Sequence, residues 1–387
     1  MPGVTETVAR APRVLMLVTE DWYFRSHRFE LACRLRRAGW DVCVGMRVNG
    51  PTDDLDEVGI EIVSLPFERS LRHPLRDLHT LAAIRRCIAA WRPDILHLVA
   101  LKPILLGGMA VGADAQCSTI NAFTGLGYLF SSNDRLARLV RGPLLQILRR
   151  LSARRRAWNL VQNEDDQAEL VRQRIGTVAR TCLIRGAGVD VSIYTAAPFP
   201  ARPFRVLLPA RLLVDKGVRE FVAAARRLRS RRQDIECVLA GDLDRDNHGA
   251  IERDELDGWL REGSVRWIGY CRDMVAVYQA AHAVCLPSYR EGLPKALLEG
   301  AACARPLIAT DVPGCRDVCR DGVSGLLVPP RDSVELAAAI ERLADDATLA
   351  ARLGAGARRL VETEFALEAV ADETLGLYAR VNALAGT

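Results

Sequence analysis

The 387-residue chain is 49% hydrophobic and 26% charged, long enough for two domains with cores of their own, which excludes a small binding module or a disulfide-stapled peptide. An aromatic share of 6%, with no long Ser, Gln or Pro tract, leaves only residues 1–12 as an expected disordered tail. The formal charge of +5 is uneven: residues 1–157 hold 23 Lys and Arg against 15 Asp and Glu, and the remainder holds 30 against 33.

From residue 13 onward, short apolar strand candidates alternate with longer amphipathic segments. They read VLMLVT, a helix over 26–38, DVCVGM, IEIVSL, a helix over 75–91, and DILHLV. Strands separated by helices predict a parallel sheet covered on both faces. The pattern stops at a Gly- and Pro-bearing connector, 186–203, and then restarts. The second run is FRVLLPA, 218–231, IECVLAG, 251–261, VRWIGY, 274–281, AVCLPS, 294–303, PLIAT, GLLVPP and two helical segments. The fold class is therefore α/β, with two doubly wound parallel-sheet, Rossmann-like domains facing across a cleft. Ligands of such sheets bind at the carboxyl ends of the strands.

The N-terminus lacks a charged-then-apolar signal pattern. The most apolar window, 95–113, is interrupted by His97, Lys102, Pro103 and Gly107-Gly108, so neither export nor a membrane span is expected. Eleven Cys fall mostly in apolar patterns with no Cys-x-x-Cys, as suits a reducing cytoplasm. The basic surplus concentrates in the segment that begins at Arg135 and ends at Arg156. There eight Arg share helical spacing with Leu136, Leu139, Val140, Leu144, Leu145, Ile147, Leu148 and Leu151. That segment suits an anionic membrane surface, or equally a surface helix whose apolar stripe faces its own domain. No aromatic-studded basic groove accompanies it, so nucleic acid is not an expected partner.

The chemistry concentrates in LPSYREGLPKALLEGAACARPLIATDVPGCRDV. Gly292 permits a tight turn after a strand, and Pro294 suits a helix's first turn. Free N–H groups at that helix end can cradle a phosphate or sugar hydroxyl around 292–295. Glu291 and Glu299 can each accept paired hydroxyl hydrogen bonds from a polyhydroxy ligand, or serve as ordinary surface carboxylates. In PARLLVDKGVREF, Arg211 and Lys216 bracket the turn between a strand and a helix, an arrangement suited to a diphosphate. Lys occurs only at 102, 216 and 295, against 50 Arg, and each Lys falls at a strand end or helix start.

ARLLVDKGVREF, LAGDLD, IGYCRDM, the 286–318 stretch, DGVSGLLVPP and QNEDDQ…GAGVDVSIY closely resemble glycosyltransferase family 4, the retaining GT-B enzymes. EDWYFRSHRFELA, HLVALKP and NAFTGLGYLF resemble its bacterial branch for capsules, exopolysaccharides and lipid-linked glycans. The resemblance implies an acceptor domain over 13–185, a linker over 186–203, a nucleotide-sugar domain over 204–365, and a C-terminal helix over 366–387 that crosses back. It implies transfer of a hexose or N-acetylhexosamine from a nucleotide-diphosphate sugar, UDP by family frequency, to a lipid-linked or polysaccharide acceptor, with no metal or other cofactor. Arg211 and Lys216 would hold the diphosphate and offset leaving-group charge, and Glu299 would hold the ribose. Glu291 with the backbone of Gly292, Leu293 and Pro294 would hold the donor sugar, and Gly241, Tyr270, Cys271 and Arg272 would lie against the base.

Acceptor contacts are expected from His27, Arg28, Lys102 and the turn Thr124, Gly125, Gly127 and Tyr128. Many relatives carry His-x-His after the fourth strand, where this chain reads His97-Leu98-Val99. His97 is thus either a catalytic residue or a buried core histidine. Many also carry a Gly-Gly turn after the first strand, replaced here by Thr19-Glu20-Asp21-Trp22. The acidic run Asp242, Asp244, Asp246 has Asn247 where a calcium loop needs Gly, and Cys315-x3-Cys319 lacks zinc partners, so both read as structural. Two alternatives stand beside transfer: a sugar-nucleotide epimerase of the same two-domain shape, which also holds a nucleotide diphosphate in its cleft, or a non-catalytic membrane-associated partner, suggested by Val99 and the absent Gly-Gly turn. Either way the protein is expected in the cytoplasm, peripheral on the inner membrane face if the basic helix docks there.

Overall fold

A computed structural model describes residues 10–68, 74–112, 116–126, 135–244, 247 and 249–385, with the backbone alone at 74, 135–140 and 385. The first sheet contains β1 (Arg13–Glu20), β2 (Asp41–Arg47), β3 (Glu61–Ser64), β4 (Ile95–Val99), β5 (Ser118–Ala122), β6 (Ala157–Val161) and β7 (Thr181–Leu183). Its order is β3-β2-β1-β4-β5-β6-β7, and every pairing is parallel. The second sheet contains β8 (Phe204–Pro209), β9 (Ile235–Ala240), β10 (Arg266–Trp267), β11 (Ala283–Leu286), β12 (Leu307–Thr310) and β13 (Gly325–Val328), in the order β10-β9-β8-β11-β12-β13 and again all parallel.

Each sheet is buried on both faces, as uninterrupted apolar strands require. On β4, Ile95 and Val99 pack on one side, while Leu96 and Leu98 pack on the other. On β8, Val206 and Leu208 face one core and Leu207 the opposite one. Strand order reverses between β1 and β4 in the first sheet and between β8 and β11 in the second. Those two switch points are where crevices open at strand carboxyl ends.

Several local features differ from the sequence reading. The helix expected over 26–38 is two helices, Asp21–His27 and Phe29–Arg37, with Arg28 at φ −132° between them. Strands β5 to β7 lacked an apolar signature because they carry buried polar residues. Asn159 accepts from Asn121 Nδ2 at 3.2 Å and Ser152 Oγ at 3.0 Å and donates to the Ile175 carbonyl at 3.0 Å, so the polarity is satisfied internally. Three helices follow β13: Ser333–Asp345, Ala347–Glu364 and Leu367–Ala385, the last within the 366–387 segment read as a C-terminal helix. Asp346 separates the first two, its side chain capping the second by accepting from Leu349 N at 2.8 Å. The last helix lies on the first sheet, where Val370, Leu377, Tyr378 and Val381 join the core beside Trp40 and Ile95.

The basic segment forms the helix Arg135–Ser152, and its described apolar residues turn inward. Leu148 and Leu151 are buried and Leu144, Leu145 and Ile147 half-buried, the helix packing on the core beneath Leu96 and Leu98. Arg149 donates to the Gln173 carbonyl at 2.7 Å, and Arg154 to the Gly108 carbonyl at 2.7 Å. The described part of the stripe is therefore core, while the side chains of Leu136, Leu139 and Val140 lie outside the described residues. Among the described residues, no helix is long and apolar enough to cross a membrane.

Candidate active site

The second sheet's switch point builds the centre of the site. β8 ends at Pro209, and the chain turns through Arg211 into a 3-10 turn, Val214–Lys216. Gly217 follows at φ +70°, where an added Cβ would lie 2.0 Å from the Pro287 carbonyl oxygen. Only glycine lets Lys216 come this close beneath the loop after β11. Lys216 Nζ donates to Glu291 Oε1 at 2.6 Å, and Ser288 Oγ donates to the same oxygen at 2.7 Å. Desolvation opposes the Lys216 charge, but Glu291 and Asp215 outweigh it and hold the ammonium pKa above the usual lysine value.

A cavity of about 360 Å³ opens over this pair. Arg211, Lys216, Glu291, Gly292, Leu293, Pro294 and Lys295 line it from the second sheet's side; Trp22, Tyr23, His27, Thr124 and Gln162 line it from the first. Pro294 is the N-cap of the helix Lys295–Ala302 rather than its first residue, so the helix's free N–H groups begin at the cavity wall. Arg211 is held by Asp244, and its guanidinium sits 5.7 Å from the Trp22 ring across the cleft. Lys295 Nζ donates to the Ser26 carbonyl at 2.7 Å, a second bridge between the two halves.

Gly292 is glycine for a reason other than the turn expected of it. Its φ is not positive; instead, a Cβ there would lie 2.3 Å from the Thr124 carbonyl oxygen and 2.7 Å from Gln162 Oε1. Gly125 faces it, with an added Cβ 3.2 Å from Gly292 N. The two glycines let the first sheet's TGL turn and the loop after β11 meet backbone to backbone.

His27 stacks on Tyr23, centroids 4.2 Å apart, with Nδ1 at 2.5 Å from Ser26 Oγ. Burial, with Lys295 and Arg28 nearby, brings its pKa down to about 3, so the ring is neutral at physiological pH. The turn that replaces Gly-Gly is built from charge. Asp21 accepts from Trp22 N at 2.7 Å and Asn49 N at 2.6 Å, and Glu20 pairs with Arg47 at 2.9 Å. That network fixes where Trp22 enters the cavity.

Other expected site residues lie elsewhere. His97 is fully buried beneath the helix Leu367–Ala385, hydrogen-bonded through Nδ1 to the Tyr378 hydroxyl, and does not line the cavity. Burial beside Arg28 holds its pKa well below the usual histidine value. Of its two readings, the core histidine is the one the structure supports. Lys102 is also interior, its Nζ 2.6 Å from Asp77 Oδ1, and Arg28 is buried behind His27; neither is on the cavity wall. Glu299 is buried, accepting from Tyr278 Oη at 2.9 Å, with Lys295 Nζ 3.5 Å from its other oxygen. Gly241, Tyr270, Cys271 and Arg272 lie outside the cavity lining, Tyr270 exposed and bound through its N–H to Asp242 Oδ1 at 3.1 Å. Gly127 and Tyr128 lie outside the described residues. Sequence reasoning did not assign Tyr23 and Gln162 to the site, although both lie within quoted stretches, EDWYFRSHRFELA and QNEDDQ; only the fold brings them to the cavity.

Two family descriptions divide the chain between them: "Glycosyl transferase 4-like domain" matches residues 26–185 and "Glycosyl transferases group 1" matches residues 203–346. The chain belongs to glycosyltransferase family 4. It is 27% identical over 363 residues to a putative glycosyltransferase, EpsD, of Bacillus subtilis, covering 90% of this chain and 91% of that one. It is 25% identical over 344 residues to N,N'-diacetylbacillosaminyl-diphospho-undecaprenol alpha-1,3-N-acetylgalactosaminyltransferase of Campylobacter jejuni, covering 85% and 88%. Among solved structures, Anabaena HepE in complex with UDP and glucose superposes with a TM-score of 0.75 at 18% identity, covering 95% of this chain and 99% of that one. Sucrose-phosphate synthase of Thermosynechococcus elongatus superposes with a TM-score of 0.81 at 21% identity, covering 96% and 100%. These likenesses establish the GT-B fold. The family 4 chain is a retaining glycosyltransferase with a nucleotide-sugar donor, which sets aside the epimerase and the non-catalytic partner.

Proposed function

We propose that this glycosyltransferase moves a hexose or N-acetylhexosamine from a UDP-sugar to a hydroxyl of a lipid-linked or polysaccharide acceptor. The observation that carries the reading is the Lys216–Glu291 pair at 2.6 Å, set in a cavity that also holds Arg211 and the N-terminus of the helix Lys295–Ala302. A cation beside free helix N–H groups suits a diphosphate, and a carboxylate sharing the same wall suits the hydroxyls of the attached sugar. UDP is supported by the ligand named for HepE, and a lipid-linked acceptor by the undecaprenol-linked substrate named for the Campylobacter relative. In this reading the unit 13–185 receives the acceptor and the unit 204–365 the donor.

As the glycosidic bond to phosphate breaks, negative charge grows on the diphosphate. Lys216, Arg211 and the helix N–H groups are already aimed at that position, the electrostatic mode of catalysis. Glu291 accepts from Lys216 and Ser288, two of the ties that hold its carboxylate. Neutral His27 and the Trp22 ring, on the opposite wall, are assigned to the acceptor in this reading. Glu299, with Tyr278 behind it, is assigned to the ribose, and the turn at Gly241 and 270–272 to the base, each met once the donor extends beyond the cavity. The uneven charge, basic in the acceptor unit, supports docking of that unit on an anionic bilayer where a lipid-linked acceptor resides.

Thermal stabilisation by UDP, GDP, ADP and dTDP and their sugars tests the donor assignment. A ligand at about 100 times its dissociation constant stabilises by roughly 2.7 kcal/mol. UDP and a UDP-sugar are expected to give the largest shift, and Lys216→Ala to remove most of it. An unchanged shift in that variant removes Lys216 from the site.

A further inference from the structure

We propose that Asn163 and Asp166, which belong to the acceptor unit, are positioning residues for the donor loop 288–292, so that Glu291 is correctly set only while the two units are closed on each other. The proposal rests on the reading of Lys216 and Glu291 as the donor site. Both residues are fully buried at the start of the helix Glu164–Arg172. Asn163 Oδ1 accepts from Asp166 N at 2.7 Å and so caps that helix. Its Nδ2 donates to the Gly292 carbonyl at 2.7 Å and to Asp166 Oδ2 at 3.1 Å. The other carboxylate oxygen of Asp166 accepts from Arg290 Nη2 at 2.7 Å. The loop is thus gripped at 290 and at 292, on either side of Glu291, by a network in which Asn163 also caps its own helix and Asp166 also accepts from the Leu126 backbone. The remaining ties on Glu291, from Lys216 and Ser288 to its carboxylate and from its N–H to the Pro313 carbonyl at 3.3 Å, lie within the donor unit itself.

A contact whose purpose was only to hold the units together would not need this burial. The neighbouring pair Arg316–Asp165, at 3.0 Å, bridges the same two units while exposed. Burying Asp166 carries a desolvation cost that raises its carboxyl pKa even with Arg290 beside it. Buried polar networks of this kind contribute geometric register more than stability. When the units part, water satisfies the carboxylate and the Gly292 carbonyl, so opening releases the loop without stranding a buried charge. When they close, the loop regains one geometry, and reaction rates are sensitive to displacements of about 1 Å at the reacting centre.

The test uses Asn163→Ser, which keeps a side-chain oxygen for the helix cap but whose shorter side chain lacks the amide N–H that reaches the Gly292 carbonyl, together with Arg290→Gln and the conservative Arg290→Lys. Turnover with a UDP-sugar, the UDP dissociation constant by calorimetry, melting temperature, and hydrogen exchange of residues 288–292 in the ligand-free protein are measured on each. Expected for Asn163→Ser and Arg290→Gln is a kcat lower by about 10- to 100-fold, with UDP affinity within about threefold of the parent, a difference under 1 kcal/mol. Amides of 288–292 should exchange faster, and Arg290→Lys should recover part of the turnover. Parent-like kcat in Asn163→Ser and Arg290→Gln overturns the proposal, as does a loss of activity matched by loss of folded protein with unchanged loop exchange. Failure of the underlying donor assignment looks different: the parent protein would bind no UDP, or Lys216→Ala would bind it equally well, while the loop exchange comparison, made without ligand, would still report on the grip.

Discussion

Replacing Gly292 with alanine would place a methyl group 2.3 Å from the Thr124 carbonyl, a contact that one of the two units must yield to relieve. Overpacking of this kind costs about 1–3 kcal/mol, and here it falls on closure. The expected result is a steep loss of kcat with the donor unit still folded; full activity would show that the Gly292–Thr124 approach is dispensable. Tyr378 gives the opposite kind of prediction. Tyr378→Phe deprives His97 Nδ1 of its partner inside the core, so stability should fall by about 1–3 kcal/mol while kcat and KM stay close to the parent values. A large change in kcat without loss of stability would return His97 to the catalytic centre. At this scale the sequence announced Lys216 and Glu291 through their positions after strands. It was silent on Asn163 and Asp166, because their partners lie 129 and 124 positions away and nothing local marks the pairing.

Among the elements, the amphipathic helix Arg135–Ser152 shows why periodicity finds a helix more readily than its neighbour. An apolar stripe at helical spacing states only that something covers it. The covering surface proved to be the domain's own core, which Leu148 joins while Leu151 packs against Gly108 of the helix Leu101–Ala110, and Arg149 and Arg154 proved to be carbonyl donors. Arg150 and Arg155 remain exposed. Should the acceptor unit dock on an anionic surface through this region, those two are, among the described residues, its exposed arginines. Sedimentation with vesicles of anionic lipid should show binding that weakens with salt and falls in the Arg150→Gln, Arg155→Gln double variant, with no change in melting temperature. Equal binding by that variant would place the contact elsewhere. The strands β5 to β7 teach a related point: their buried Asn121 and Asn159 satisfy each other and the Ile175 carbonyl, so a fully interior strand was written in polar residues that apolar patterning cannot see.

For the molecule as a whole, alternating strands and helices with a single interruption sufficed to read two parallel sheets, because a parallel sheet must be apolar on both faces and its crossovers must be helical. What the pattern could not supply was the relation between the sheets. That relation is made by a few cross-cleft contacts, Lys295 with the Ser26 carbonyl, Arg290 with Asp166, and Gly125 against Gly292, each joining residues from separate runs of the pattern. The central claim is that this cleft transfers a sugar from a nucleotide donor to a lipid-linked hydroxyl with retention. The most direct test is to incubate the protein with an α-linked UDP-sugar and an undecaprenyl-diphosphate saccharide and read the new anomeric centre by its one-bond carbon–hydrogen coupling. An α-linked product, absent with Lys216→Ala, is the predicted result; a β-linked product, or transfer undiminished in that variant, would contradict it.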